Sequence, residues 1–289
     1  TVSTAYIDKK GQKQERVVEA KNKIKIYNLL NHTSGLTYGT FGNSFAKKRL
    51  KSSEISKLNL EDISLIQYVK ELAKFPLAYN PNTVWEYGRS IEVLGRVIEI
   101  ASNKTLDVFL KDRIFKPLDM KDTAFYVDES KWHRIAEPFI EKQPQLIKIR
   151  NKPNFLTGGH GLVSTIDDYM KFCMMFLKKG IVNNNNILSR KTIEYMTSNH
   201  LGYNISRDTP LYLPGPGYGF GLGFAVRESE GLSTWPGSTG EYFWAGYAGT
   251  YFWIDPKEEL IVISMTQSVT NRMKFRLLLR NLVYQAIIN

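Results

Sequence analysis

Apolar side chains recur at helical spacing in several stretches of the first two thirds of the chain. In residues 90–102, for example, Ile91, Leu94 and Ile98 fall on one face, which predicts an amphipathic helix. The same periodicity predicts helices over 23–31, 61–75, 105–115, 165–178 and 189–197. Between them, residues 39–60 are polar, basic and aperiodic, which is typical of a long surface loop.

The last third has a different pattern. Gly217–Val226 and Tyr242–Ile254 are aromatic, punctuated by glycine and strand-like, and Leu260–Met265 is an apolar strand after a turn. A basic amphipathic helix over Asn271–Ile288 closes the chain. Strands linked directly in sequence predict an antiparallel sheet. The predicted class is therefore α+β, an antiparallel sheet flanked by helices plus an all-helical lobe.

These patterns suggest three segments. Residues 1–22 are a polar lead-in, residues 23–200 a mainly helical lobe, and residues 201–289 the strands and C-terminal helix of the α/β part. Thr1 opens on a lysine-rich stretch without a start methionine, so we expect an N-terminal part, with any localisation signal, to precede it. The closing helix has more apolar residues than one packed face needs, which predicts uncovered apolar surface there.

Composition excludes some classes of function. With 43% hydrophobic and 12% aromatic residues, the chain can bury a sizeable core and is not a disordered protein. The net charge of +11 could indicate a nucleic-acid partner, but the densest basic clusters, at 47–51 and 272–280, are interpreted as solvated surface. No integral membrane segment is predicted, and the single cysteine, Cys173, is predicted to be inert packing.

Several common catalytic motifs are absent from the sequence. It has no Gly-x-Ser-x-Gly, no Walker loop and no Gly-x-Gly-x-x-Gly. The four histidines lack the spacing of metal ligands. We therefore expect chemistry without metal or cofactor. The oligomeric state is left open.

A set of short sequence motifs, called phrases below, occurs in a fixed order along the chain and indicates a function. They are Leu29-Leu30-Asn31-His32-Thr33-Ser34-Gly35-Leu36, Pro81-Asn82-Thr83-Val84-Trp85-Glu86-Tyr87-Gly88-Arg89-Ser90, Leu94-Gly95-Arg96-Val97-Ile98-Glu99, Phe115-Lys116-Pro117-Leu118-Asp119-Met120-Lys121-Asp122-Thr123, Gly158-Gly159-His160-Gly161-Leu162-Val163-Ser164-Thr165 and Trp244-Ala245-Gly246-Tyr247-Ala248-Gly249-Thr250. Together they resemble the serine hydrolases related to class C β-lactamases and penicillin-binding DD-peptidases. The resemblance runs from about residue 23 to the C-terminus.

That resemblance implies roles for particular residues. Tyr87 matches the family tyrosine that acts as base and then as acid, although taken alone it could be a half-buried packing tyrosine. The backbone N–H of Tyr247 would be the oxyanion donor. Residues at the matching substrate-binding positions are Arg89, Trp244, Ala245 and Gly246. For Trp244, strand packing is an equally good interpretation.

Two departures from the family pattern bear on the substrate. Tyr87-Gly88-Arg89 lacks the asparagine of Tyr-x-Asn, and Trp244 replaces a lysine or histidine. Both departures are similar to family eight carboxylesterases, which favours small esters. A DD-peptidase or β-lactamase that acts on a peptide or lactam amide is the alternative enzyme. A non-catalytic binding or regulatory relative that lacks the nucleophile is the alternative from another class.

The nucleophile itself is not evident. The family's Ser-x-x-Lys precedes the His32-Thr33-Ser34 phrase, and no such motif lies there in this chain. The one Ser-x-x-Lys, Ser44-Phe45-Ala46-Lys47, lies in the predicted polar loop and is interpreted as a coincidence. His32-Thr33-Ser34 is interpreted as a helix stop and not as a Ser-His pair. The serine is therefore expected outside these 289 residues.

Overall fold

The computed structural model describes residues 1–39, 44–53, 55, 63–138, 148–182, 185–209 and 212–288. The α-helices are α1 Ile26–Leu30, α2 Phe45–Lys51, α3 Leu65–Leu72, α4 Ser90–Ser102, α5 Leu106–Leu110, α6 Ile166–Leu177, α7 Arg190–Met196 and α8 Arg272–Gln285. The strands are β1 Val2–Ile7, β2 Lys13–Val18, β3 Ile181–Val182, β4 Asn185–Asn186, β5 Tyr218–Phe220, β6 Ala225–Arg227, β7 Tyr242–Ala245, β8 Tyr251–Asp255 and β9 Leu260–Ser264. The predicted α+β class is confirmed.

The chain divides into two compact units, and they do not follow the predicted segment boundaries. Unit 1 comprises Thr1–Leu106, Asn154–Gly159 and Leu201–Leu213. Unit 2 comprises Asp107–Pro153, His160–His200 and Pro214–Asn289. Sequence periodicity gave contiguous segments because it reports local structure only. The two short returns to unit 1 depend on contacts made far along the chain.

Residues 1–22, which the sequence describes only as a polar lead-in, contain the antiparallel hairpin β1–β2. The Asp8 carboxylate accepts from the N–H groups of Lys10 and Gln12 and so closes the turn. Val2 is fully buried, and the Ser3 N–H donates to the Leu77 carbonyl at 2.9 Å. The hairpin was missed because most of its side chains are exposed, so no period-two apolar pattern marks it.

The predicted loop over 39–60 carries helix α2, with residues 40–43, 54 and 56–60 outside the described part. Ser44 caps α2, and Ala46 and Leu50 are buried on its inner face. Leu50 joins a core cluster with Leu65, Tyr68, Leu72 and Phe155. Two buried apolar positions four residues apart are too few for a periodicity signal, which explains the missed helix.

Other helices lie close to their predicted places. Helix α4 begins and ends at the predicted residues. The predicted helix over 105–115 is α5 followed by a π-helical turn, Lys111–Phe115. For the predicted helix over 61–75, residues 61 and 62 lie outside the described part, and regular helix begins at Leu65 because the Ser64 side chain caps it.

Unit 2 contains a five-stranded antiparallel sheet in the order β5-β6-β7-β8-β9. Each strand pairs with the next one in sequence, as the strand pattern predicted. Gly217–Val226 is two strands and not one, because the chain turns at Gly223, which has a φ of +96°. Tyr242–Ile254 is likewise divided into β7 and β8 by a turn over residues 246–250.

The core of unit 2 lies between the sheet and helix α6. Buried members include Phe176, Phe224, Tyr242 and Phe252. Cys173 belongs to this core with no exposed surface, and burial raises the pKa of its thiol to about 12. This agrees with the interpretation of Cys173 as inert packing.

Helix α8 exposes apolar side chains, as expected from its composition. Met273, Leu278 and Leu282 are 63%, 53% and 55% exposed. Whether another segment covers them stays a prediction. None of the helices in the described ranges is both long and apolar enough to span a bilayer.

Candidate active-site elements

Tyr87 lies in an extended segment of unit 1 that is fixed on both sides by backbone hydrogen bonds. The Trp85 N–H donates to the Ser206 carbonyl and the Glu86 N–H donates to the His32 carbonyl, each at 2.9 Å. A side chain at Gly88 would lie 2.2 Å from the Leu36 carbonyl oxygen, so only glycine allows the two backbones to cross there. The position of Tyr87 therefore follows from its flanking residues.

The Tyr87 ring is half-buried among aromatic neighbours. Its centroid lies 5.0 Å from the His32 ring, 5.3 Å from the Tyr38 ring and 6.1 Å from Trp85, with which it is stacked. The hydroxyls of Tyr38 and Tyr87 are hydrogen-bonded. Burial, and after it the Glu92 carboxylate, raises the pKa of Tyr38. Tyr38 is thus a neutral partner for the Tyr87 hydroxyl, and it was not predicted from the sequence.

Arg89 is held by an ion pair and two rings. Its guanidinium lies 3.1 Å from the Glu92 carboxylate, 4.4 Å from the Tyr38 ring centroid and 5.5 Å from that of Tyr68. The Arg89 side chain is 21% exposed and that of Glu92 is fully buried. Burial raises the pKa of Glu92 and the charge of Arg89 opposes that rise. The predicted role of Arg89 in substrate binding stays a prediction.

The Gly158-Gly159 pair allows residues 154–159 to lie against helix α4. A Cβ at Gly158 would lie 2.2 Å from the Ile91 carbonyl oxygen, and one at Gly159 would lie 3.0 Å from the Glu92 carboxylate. Side chains at these positions would separate the segment from the Arg89–Glu92 pair. The glycine phrase therefore has a packing function in unit 1.

The His32-Thr33-Ser34 phrase forms a buried helix stop, as interpreted from the sequence. The hydroxyls of Ser34 and Ser90 lie 2.8 Å apart, which joins the segment after α1 to the first residue of α4. Burial lowers the pKa of His32 from 6.5 to about 3, so its imidazole is neutral at physiological pH. Its backbone is left-handed, with a φ of +57°.

The Ser44-x-x-Lys47 motif has a structural role in the described conformation. The Ser44 hydroxyl accepts from the Lys47 N–H at 3.4 Å as the cap of α2. The Lys47 amine lies 2.8 Å from the Glu86 carboxylate, and both side chains are buried, at 3% and 6% exposure. The prediction that this basic cluster is solvated is therefore wrong for Lys47. Its amine is committed to Glu86, which also accepts from Thr37 at 2.7 Å.

In unit 2, Trp244-Ala245 ends strand β7 and Gly246 begins a tight turn. The Gly246 N–H donates to the Thr250 carbonyl at 2.8 Å, and a Cβ on Gly246 would lie 2.0 Å from the Thr250 hydroxyl. Trp244 is partly buried and meets the Phe220 ring edge-on at 5.3 Å. Contacts with neighbouring rings explain the position of the Trp244 side chain, and its backbone continues into the turn.

Tyr247 projects from this turn, with its side chain 62% exposed. Its carbonyl and those of Gly246 and Ala248 all accept hydrogen bonds, from Arg272, Arg276 and the Ser268 N–H. By contrast, the Tyr247 N–H has no acceptor within the described part of the chain. The turn thus presents a fixed and unengaged amide donor, as an oxyanion site requires.

A buried charge network joins helix α8 to the sheet of unit 2. The Glu241 carboxylate lies 2.8 Å from Arg227 and 2.7 Å from Arg280, and it accepts from Tyr284 at 2.8 Å. Arg280 is 1% exposed, so the prediction that the cluster over 272–280 is solvated is wrong for this residue. Arg272, Arg276 and Arg280 are spaced four residues apart, and that spacing was the missed sequence signal.

Across the described residues, no three His, Cys, Asp or Glu side chains converge as a metal site would require.

Comparison with known proteins places these elements in context. The family model described as Beta-lactamase matches residues 5–285. An uncharacterized protein, MT1414 of Mycobacterium tuberculosis, is 30% identical over 277 residues, which cover 91% of this chain and 67% of that protein. Esterase EstB of Burkholderia gladioli is 33% identical over 140 residues, 48% of this chain and 35% of EstB. The chain thus aligns with only part of each relative.

Among solved structures, one is described as EstCE1, a hydrolase with promiscuous acyltransferase activity. It superposes with a TM-score of 0.73 at 24% identity, and the superposition covers 90% of this chain and 72% of the EstCE1 chain. At that identity the match shows the fold.

Proposed function

Because this chain belongs to the Beta-lactamase family, whose model matches residues 5–285, we propose that it provides part of the active site of a serine hydrolase. The proposed reaction is hydrolysis of small esters through an acyl-enzyme. Tyr87 is the proposed acid/base and the Tyr247 N–H the proposed oxyanion donor. Trp244, Ala245 and Gly246 are proposed to line the substrate site.

In this reaction, a serine oxygen attacks the ester carbonyl while Tyr87, as the phenolate, accepts the serine proton and becomes the neutral phenol. The carbonyl oxygen becomes negatively charged and accepts a hydrogen bond from the Tyr247 N–H. The C–O bond to the alcohol then breaks, and Tyr87 returns the proton to the leaving oxygen. Water repeats the sequence on the acyl-enzyme, which releases the acid and regenerates the serine.

The single observation that carries the proposal is the unengaged Tyr247 amide. Three consecutive carbonyls of its turn are bonded, but its own N–H has no acceptor among the described residues. An amide donor that no group of the described chain uses is available to hydrogen-bond a ligand. The hydrogen bond between Tyr38 and Tyr87 supports the acid/base assignment, since it fixes the Tyr87 hydroxyl.

Ester substrates are favoured over lactams and peptides by the side chain at residue 244. Trp244 brings no cation that could bind a substrate carboxylate, and its ring packs on Phe220. Relatives that are named as esterases include EstB and the lovastatin esterase of Penicillium rubens. Acyl transfer to an alcohol is a second candidate, because the same acyl-enzyme can react with an alcohol, and EstCE1 is described as a hydrolase with promiscuous acyltransferase activity.

The test is covalent labelling with a fluorophosphonate, read by intact mass. We expect no adduct on the 289-residue chain, since Lys47 is paired with Glu86 and no other Ser-x-x-Lys is present. The protein expressed from its complete reading frame should take up one probe and hydrolyse p-nitrophenyl butyrate. An adduct on Ser44 would overturn the assignment. A complete-frame protein without adduct or turnover would favour the non-catalytic alternative.

A further inference from the structure

Two arginines of helix α8 hold the turn between β7 and β8. Arg276 donates to the carbonyl of Gly246 and, at 3.1 Å, to that of Thr250. Arg272 donates to the Tyr247 carbonyl at 2.9 Å, and its guanidinium lies 4.7 Å from the centroid of the Tyr247 ring. Each guanidinium is planar and has several donors in a fixed arrangement, so these contacts restrict the direction of each carbonyl.

Helix α8 is itself anchored one turn further along. Arg272, Arg276 and Arg280 are spaced at intervals of four, so they share one helix face. Arg280 is bound to Glu241 and donates to the Tyr251 hydroxyl at 2.8 Å, and it is 1% exposed. The two arginines at the turn therefore extend from a helix whose position is fixed by a buried ion pair.

The geometry of the peptide bond transmits this restraint to the Tyr247 amide. The described chain contains no cis peptide bond, so the Gly246 carbonyl and the Tyr247 N–H point in opposite directions across one plane. When Arg276 binds the Gly246 oxygen, it directs the Tyr247 N–H away from α8. A cation at the carbonyl also polarises the amide, which makes its N–H a stronger donor.

We propose that Arg276, supported by Arg272, is a positioning residue that sets the direction and donor strength of the Tyr247 N–H. This inference rests on the proposed function, in which that N–H stabilises the oxyanion. Arg276 touches no reacting atom and acts through the Gly246–Tyr247 peptide. Its effect should therefore fall on the transition state more than on substrate binding.

The expected kinetic effect is smaller than the loss of the donor itself. Removal of an oxyanion donor typically costs about 10²–10³-fold in kcat. Arg276→Gln leaves the Tyr247 N–H present but free to turn, so we expect kcat to fall by about 10- to 100-fold. KM should change by less than about threefold, since the interaction lost is made in the transition state. Arg276→Lys keeps the charge without the planar fork and should be intermediate.

The first arm of the test reads the amide directly in the 289-residue chain. Tyrosine-selective ¹⁵N labelling gives one amide signal per tyrosine, and Tyr247→Phe identifies the signal of residue 247. Arg276→Gln should shift this signal and broaden it. The matched control is Lys274→Gln, which removes one exposed charge from the same helix and should leave the signal in place. If Arg276→Gln does not fold by circular dichroism, Arg276→Lys takes its place.

The second arm measures p-nitrophenyl butyrate hydrolysis by the protein from its complete reading frame. If the unsubstituted protein is inactive, the proposed function fails, and the amide signal still decides whether Arg276 positions the peptide. If the unsubstituted protein is active and Arg276→Gln keeps both its kcat and the Tyr247 signal, the positioning role is refuted and the proposed function stands. A shifted signal together with reduced kcat at similar KM supports both.

Discussion

Neutral His32 makes unit 1 sensitive to acid. Its imidazole is 3% exposed and lies 5.7 Å from the Trp85 ring and 5.0 Å from the Tyr87 ring, measured between centroids. Protonation would place a charge in this buried aromatic environment. The informative substitution is His32→Asn, because asparagine tolerates the left-handed backbone of this position and does not titrate.

The sign and size of the effect follow from the pKa of His32. Folding lowers that pKa from 6.5 to about 3, so the folded state favours the neutral imidazole. The resulting stability is fully present above pH 6.5 and is lost progressively as the pH falls from 6.5 towards 3. Each pH unit in that window costs about 1.4 kcal/mol, so the loss between pH 7 and pH 5 is about 2 kcal/mol.

The assay is urea unfolding at pH 7 and pH 5, followed by circular dichroism. The ring removed in His32→Asn leaves a packing defect at both pH values, so the quantity to compare is the change between them. This variant should lose about 2 kcal/mol less than the unsubstituted chain on acidification. His133→Asn, at an exposed position, is the matched control. It should lose as much stability between pH 7 and pH 5 as the unsubstituted chain loses. Equal losses in all three proteins would refute a neutral, desolvated His32.

Two further outcomes are expected. Glu241→Gln leaves Arg227 and Arg280 buried without a carboxylate between them and should destabilise unit 2 by about 3–5 kcal/mol in a thermal melt. Glu230→Gln removes an exposed ion pair with Lys257 but keeps a side-chain oxygen for the Thr239 N–H, so it should leave the midpoint nearly unchanged. Equal melts for both variants would contradict the buried network. In the protein from its complete reading frame, Tyr87→Phe should lower ester turnover by about 10²-fold or more, whereas unchanged turnover would make Tyr87 a packing residue.

The sequence was informative about the fold wherever one face of an element is buried. Helices α4 and α6 have strong apolar periodicity and lie where they were predicted. The hairpin β1–β2 and helix α2 bury few side chains, and long-range contacts fix them in place. Such contacts produce no periodic pattern in the local sequence. The separated segments that complete unit 1 could not be assigned to it for the same reason.

The same distinction applies to the candidate site. Tyr87 and Trp244–Tyr247 were found because each lies within a recognisable phrase. Tyr38 is 49 positions before Tyr87 in the sequence, and Arg276 is 30 positions after Gly246, so their contacts depend on the tertiary fold. The interpretation of the basic clusters as solvated surface was wrong for Lys47 and Arg280, because each is paired with a buried carboxylate.

The burial of Cys173 makes the chain convenient for site-specific labelling. Its thiol has no exposed surface, its pKa is raised to about 12, and the sequence contains no other cysteine. A maleimide or a nitroxide reagent reacts with an accessible thiolate, which Cys173 does not offer in the folded chain. A cysteine introduced in place of exposed Tyr247 would therefore be the one thiol that reacts. A fluorophore or spin label could then report on that turn while Cys173 stays in place.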